Sequence, residues 1–174
     1  MYVGHSVSAM VGCLASIKSP STGLFERLIL LCGSPRYLND ESYEGGFKCG
    51  DIDGIFSAMK SNYSVWVSGF VPLLIGMDEP SLVKEFSSKL INMKPEIELV
   101  LQKPSSRVIC DVKTPCNIIQ TKKDITVPLS VPYYMQCSLG GKKINNFIFE
   151  DNWQNFQRKN SIQCQMSKFV VVFT

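Results

Sequence analysis

Tyr2-Val3-Gly4-His5-Ser6-Val7-Ser8-Ala9-Met10 opens the chain, and its reading decides the fold. Tyr2-Val3 reads as the end of a strand. After Ser6, apolar residues recur at helical spacing as Val7, Met10, Val11, Leu14 and Ile17, and Pro20 lies beyond the end of that helix. Between strand and helix, Gly4-His5-Ser6-Val7-Ser8 is a near-match to Gly-x-Ser-x-Gly, with Ser8 in place of the second glycine. A serine on so sharp a strand-to-helix turn is lifted out of the sheet, with its hydroxyl exposed for use as a nucleophile.

Working outward, Arg27-Leu28-Ile29-Leu30-Leu31-Cys32 is a continuous apolar run, suited to a strand buried on both faces. A polar loop from Gly33 to Asp51 leads away from it and carries Gly45-Gly46. Ile52, Ile55, Phe56, Met59, Tyr63, Trp66, Val67 and Phe70 then form a helical stripe through two adjoining helices. Pro72 is expected to kink or cap the second of them. A further helix is expected from about Pro80 to Met93, stopped by Pro95. Cys116–Thr121 reads as a strand, followed by the turn Lys122-Lys123-Asp124. Pro128 to Leu139 reads as a helix closed by Gly140-Gly141, and Ile144–Phe149 as another strand. Pro132 suits that helix only in its first turn.

Strands alternating with helices specify an α/β fold with a parallel sheet. The pattern corresponds to the C-terminal part of an α/β-hydrolase fold, over residues 1–150. The helical stretch at about 40–104 is an insertion expected to cover the carboxyl ends of the strands, where ligands bind in such sheets. An elbow of this kind follows several strands, so the N-terminal strands are expected to be missing from this chain. Residues 151–174 form an off-pattern tail, polar and then abruptly apolar at Phe169-Val170-Val171-Val172-Phe173.

Composition agrees with a globular chain. Of 174 residues, 45% are hydrophobic and 19% charged. No apolar run reaches the roughly 18–20 residues of a membrane span, and no basic-then-apolar signal region opens the chain. A net charge of +3, from 18 basic and 15 acidic side chains, is too small and too scattered for nucleic acid. Seven cysteines without a Cys-x-x-Cys pair, beside a single histidine, give no zinc spacing. Reduced, mostly buried thiols are expected, with no metal and no cofactor. Asn62-Tyr63-Ser64 is formally a glycosylation sequon and is expected to go unused.

A serine hydroxyl is a weak nucleophile until a base takes its proton. In this fold the partners follow the serine in the order acid, then histidine. Ser6 is the candidate nucleophile. Asp124, directly after a strand, is the candidate acid, although a loop aspartate is more often a turn-former. The base is expected near residues 150–153, where the chain reads Glu150-Asp151-Asn152-Trp153. The single histidine is His5, beside Ser6 on the same tight turn and badly placed to take its proton; lining the pocket is its expected role. The Val7 amide supplies half of an oxyanion hole, and the other half belongs to an early loop expected to be missing. Loss of a triad histidine costs about 10⁶ in turnover, so negligible hydrolysis is expected.

Longer stretches carry a resemblance. They include Ser34-Pro35-Arg36-Tyr37-Leu38-Asn39-Asp40, Tyr43-Glu44-Gly45-Gly46-Phe47, Gly69-Phe70-Val71-Pro72-Leu73, Asn92-Met93-Lys94-Pro95 and Gln120-Thr121-Lys122-Lys123-Asp124. With the elbow, they make the chain from Gly4 to about Glu150 closely resemble the plant strigolactone and karrikin receptor family of α/β-hydrolases. The resemblance implies a four-helix lid, Ser6 as nucleophile and Asp124 as triad acid. It also implies Phe47, Trp66 and Phe70 lining the lid side of the pocket, with Thr126 near its rim. Family members bind butenolide hormones, hydrolyse them slowly, and then engage an F-box protein and a signalling repressor. Such a protein is expected in the cytoplasm and nucleus.

The chain departs from the family in three places. Asp151-Asn152-Trp153-Gln154 stands where the family has Gly-His-Leu-Pro, a few residues are missing between Leu101 and Val112, and the segments before the elbow are expected to be absent. A truncated or misassembled gene model is the expected origin. Two other readings compete with that of a hydrolase. One is a binding module that senses a ligand without turnover. The other is a fragment whose unpaired apolar strand edge promotes aggregation.

Overall fold

Four short strands pair in parallel in chain order: β1 (Tyr2–His5), β2 (Leu28–Leu31), β3 (Cys116–Thr121) and β4 (Ile144–Phe149). This computed structural model describes residues 1–18, 23–75, 80–92, 109–141 and 143–150. The register aligns Gly4 with Leu30, Leu30 with Ile118, and Ile118 with Asn146. The ladder continues one step past β1 and β2. The Ser6 amide donates to the Leu31 carbonyl at 2.9 Å, and the Cys32 amide to the Ile119 carbonyl at 2.8 Å. Ser6 and Cys32 are therefore fixed side by side at the carboxyl ends of neighbouring strands.

Helix α1 (Val7–Lys18) buries Val7, Ser8, Ala9, Met10, Gly12, Cys13 and Ser16, a mostly small-residue face. Val11 and Leu14, part of the expected apolar stripe, are exposed. Close approach is the reason. A Cβ on Gly12 would lie 2.3 Å from the Tyr2 ring, and the Tyr2 hydroxyl donates to the Ser8 carbonyl at 2.8 Å. At Gly12 no side chain fits between the helix and the Tyr2 ring.

Three helices follow β2: α2 (Cys49–Ser61), α3 (Tyr63–Ile75) and α4 (Pro80–Ile91). Asn62 joins the first two. Its amide donates to the Ala58 carbonyl at 3.1 Å, and its side-chain carbonyl accepts from the Val65 amide at 3.1 Å, so one residue ends α2 and caps α3. Pro72 lies inside α3, which continues to Ile75 instead of ending at the proline. Val67, Val71 and Ile75 of α3 are fully buried against Leu82, Val83, Phe86 and Leu90 of α4. The Tyr63 hydroxyl ties the far ends of the pair by donating to the Leu90 carbonyl at 3.0 Å. The fourth helix expected before residue 104, and the tail from 151 onward, lie outside the described residues.

Helix α5 (Ser130–Ser138) connects β3 to β4, with Pro132 in its first turn as its fixed φ requires. One core runs from Tyr2 and Cys13 through Leu28, Leu30, Cys116 and Ile118 to Val131 and Met135, and extends up to Ile52, Phe56 and Met59 of α2. Of the six described cysteines, Cys13, Cys32 and Cys116 are buried, while Cys49, Cys110 and Cys137 are exposed. The expectation of mostly buried thiols therefore holds for only half of them. Cys49 and Cys137 sit near helix ends and Cys110 in the short 3-10 turn Ile109–Asp111, none of them on a core-facing position. No described helix is long and apolar enough to cross a membrane.

Candidate active site

Ser6 sits at the junction of β1 and α1 with φ at 55°, in the left-handed region that L side chains rarely occupy. The strain is held by close packing beneath it. A Cβ on Gly4 would come within 2.6 Å of the Ser8 carbonyl oxygen and 2.7 Å of the Ala9 nitrogen. The Ser6 carbonyl accepts from the Ala9 amide at 3.1 Å, which leaves the Val7 amide at the first turn of α1. Amides at such a helix start lack intrahelical acceptors and can meet an incoming anion.

Tyr37 is the side-chain partner of Ser6. Their hydroxyl oxygens lie 3.3 Å apart. Tyr37 belongs to the loop between β2 and α2, which Asn39 folds back by accepting from the Gly45 and Gly46 amides, both at 2.8 Å. Gly46 takes φ of 115°, and a Cβ there would press within 3.0 Å of the Thr126 carbonyl. The Ser130 hydroxyl donates to the Glu44 carbonyl at 2.9 Å, and the Tyr43 and Tyr134 rings meet edge-on at 4.7 Å. The loop carrying Tyr37 is thus stitched to the segment that carries Asp124.

Asp124 lies in the turn after β3. Its Oδ1 accepts from the Thr126 amide at 2.8 Å, the Thr126 hydroxyl at 2.7 Å and the Val127 amide at 3.0 Å. Its Oδ2 accepts from the Gln120 side-chain amide at 3.1 Å. This is a turn-forming aspartate and a positioned carboxylate at once. Its charge reaches the elbow. Burial pushes His5 down to about 4, and the Asp124 carboxylate draws it part of the way back. Burial raises Tyr37 to about 12; the hydrogen bond to Ser6 opposes this, and Asp124 adds to it. Cys32 is held well above the usual thiol range, first by burial and then by Asp124. At neutral pH His5 is an uncharged imidazole, and Tyr37 and Cys32 keep their protons.

The structure gathers Ser6, His5, the Val7 amide, Tyr37, Cys32 and Asp124 at the carboxyl ends of β1–β3. Phe47 reaches this group through Tyr37, with ring centroids 6.5 Å apart. Trp66 packs on the same core as Phe47, and Phe70 stacks on Trp66 at 4.7 Å. Tyr63 extends that stack on the other side of Trp66, at 5.8 Å. The Thr126 hydroxyl is turned to Asp124. Sequence reasoning does not single out Tyr37, Gln120 or Cys32. Tyr37 and Gln120 lie in stretches that carry the family resemblance, but nothing local marks them, because their contacts depend on how two loops fold. Among the described residues no three His, Cys, Asp or Glu side chains cluster as a metal site requires.

A parallel sheet, an elbow serine at positive φ and an acidic turn two strands away define an α/β-hydrolase. No protein-family model matches the sequence. Solved structures give the same fold: a hydrolase from Oleispira antarctica superposes with a TM-score of 0.79 at 22% identity, over 95% of this chain and 63% of that one. An esterase from Exiguobacterium antarcticum also gives 0.79, at 14% identity, over 95% and 64%. Within this fold the chain belongs to the family of strigolactone esterases and karrikin receptors. It is 51% identical over 145 residues to a strigolactone esterase of Arabidopsis thaliana, covering 80% of this chain and 54% of that protein. It is 47% identical over 150 residues to karrikin insensitive 2 receptor CA of Petunia hybrida, covering 83% and 55%. The chain spans about half the length of the curated relatives it matches.

Proposed function

We propose that this chain carries the nucleophile and acid of a serine-ester-hydrolase site that receives a butenolide-type ligand. The ligand class follows from the relatives, which are named as strigolactone esterases and karrikin receptors. Ser6 is the nucleophile, the Val7 amide faces the developing oxyanion, and Asp124 is the acid that would orient a base. His5, Phe47, Trp66, Phe70 and Thr126 line the ligand's path. The observation that carries this reading is the strained elbow, with Ser6 at φ of 55°, at the same end of the sheet as the carboxylate that Gln120 and the Thr126 and Val127 amides hold in place.

The base is the weak point. The 174 residues contain one histidine, His5, adjacent to Ser6. Weakened as a base by burial, which lowers it to about 4, and fixed on the same turn, it suits lining the pocket better than taking the Ser6 proton. These residues by themselves are therefore expected to hydrolyse an ester negligibly and to retain part of the ligand site. Engagement of an F-box protein and a signalling repressor, in cytoplasm and nucleus, belongs to the same proposal and rests on the family resemblance. A fluorogenic ester assay beside a Ser6→Ala control tests the reading. Turnover that persists in Ser6→Ala refutes Ser6 as nucleophile. A ligand-dependent rise in melting temperature without turnover favours the second reading, a non-catalytic binding module.

A further inference from the structure

Gln120 is 1% exposed at the carboxyl end of β3. A buried side-chain amide brings two donor hydrogens that need acceptors. Its Nε2 lies 3.1 Å from Asp124 Oδ2, 3.2 Å from the Val127 carbonyl and 3.3 Å from the Thr121 carbonyl. All three acceptors belong to the seven-residue segment from Thr121 to Val127 that carries Asp124. The turn itself holds only Oδ1, through Thr126 and Val127. Left to those bonds, the carboxylate could swing about its Oδ1 contacts, and Val127 would keep an unpaired carbonyl.

We propose that Gln120 is a positioning residue for Asp124. From β3 it holds both Asp124 Oδ2 and the far end of the loop, and so fixes the plane of the carboxylate. A carboxylate offers about four lone-pair sites. Gln120 takes one on Oδ2 and leaves another on that oxygen for a proton donor. The positioning stands on the hydrogen bonds alone. Its importance for chemistry rests on the proposed role of Asp124 as the triad acid.

Amide hydrogen exchange on the whole chain, read residue by residue, tests it. Gln120→Met keeps the volume and removes both donors. Exchange at the Thr126 and Val127 amides is expected to quicken about tenfold or more, while Ile118 and Ile119 in β3 stay within about twofold of wild type. Unchanged exchange at Thr126 and Val127 overturns the proposal, as does an equal acceleration at all four amides, which marks general core loosening. If Gln120→Met does not fold, Gln120→Asn keeps an amide one methylene short and is expected to show the same local pattern. Loss of the cooperative melt in both variants also overturns the local role. Ester hydrolysis with the Ser6→Ala control is scored separately, so a failure of the hydrolase reading leaves the exchange result standing.

Discussion

The Tyr37 hydroxyl lies 3.3 Å from Ser6 Oγ, so a loop residue between β2 and α2 holds the elbow serine. Tyr37→Phe keeps the ring and its contact with Phe47 but removes this bond, at an expected cost of about 0.5–1.5 kcal/mol. The same residue sets an alkaline limit. Tyr37 is raised from 10.0 to about 12, so the folded state keeps a proton that the unfolded chain releases. Its contribution is complete below pH 10 and is lost as pH rises toward 12, by roughly 2–3 kcal/mol. Urea titrations at pH 8 and above pH 10 are expected to show that loss in the wild type and a smaller one in Tyr37→Phe.

His5 sets an acid limit of opposite sign. Its imidazole falls from 6.5 to about 4 on folding, so the unfolded chain binds the proton more readily. Stability from this group is complete above pH 6.5 and is lost as pH falls toward 4, by roughly 2–3 kcal/mol. Melting curves at pH 5 and pH 7.5 measure the slope, which is expected to flatten in His5→Gln.

The elbow itself stores strain. A non-glycine residue in the left-handed region costs about 1–2 kcal/mol, and Ser6 pays this at φ of 55°. Ser6→Gly and Ser6→Ala both lose the Tyr37 bond, but only glycine relieves the strain, so Ser6→Gly is expected to melt above Ser6→Ala by the equivalent of up to about 1 kcal/mol. Ser6→Ala keeps a Cβ in the same conformation and is expected to show no such gain. Equal melting of the two variants would mean that the strain is relieved in solution.

Gly4 is the tightest point under the elbow. An added Cβ would meet the Ser8 and Ala9 backbone at 2.6–2.7 Å, and neither atom can rotate away. Gly4→Ala is therefore expected to cost about 3 kcal/mol or more. A denaturation midpoint within error of wild type would show that α1 can retreat from the sheet.

Much of this architecture is legible in the sequence, because hydrophobic runs and helical spacing act locally. The runs Cys116–Thr121 and Ile144–Phe149 are strands with those bounds, and Ser6 stands at the junction where its motif placed it. The exposed face of α1 is not legible from spacing. Val7, Met10, Val11 and Leu14 form an apolar stripe, yet only Val7 and Met10 of these are buried, because the helix turns Gly12 toward the Tyr2 ring. Pro72 shows packing overriding propensity, since burial of Val71 and Ile75 carries α3 past it. The partners of the site were the hardest to foresee. Tyr37 meets Ser6 across 31 positions through the Asn39 clamp, and Gln120 reads as one more strand residue until the Asp124 turn closes over it.

Ser6 is proposed as a nucleophile that lacks a base among these residues. Fluorogenic ester hydrolysis, followed with and without added imidazole, tests it most directly. In buffer alone the wild-type chain should match Ser6→Ala. With imidazole, an increment should appear in the wild type beyond that seen in Ser6→Ala. Turnover in buffer that survives Ser6→Ala, or equal imidazole increments in the two proteins, would contradict the account.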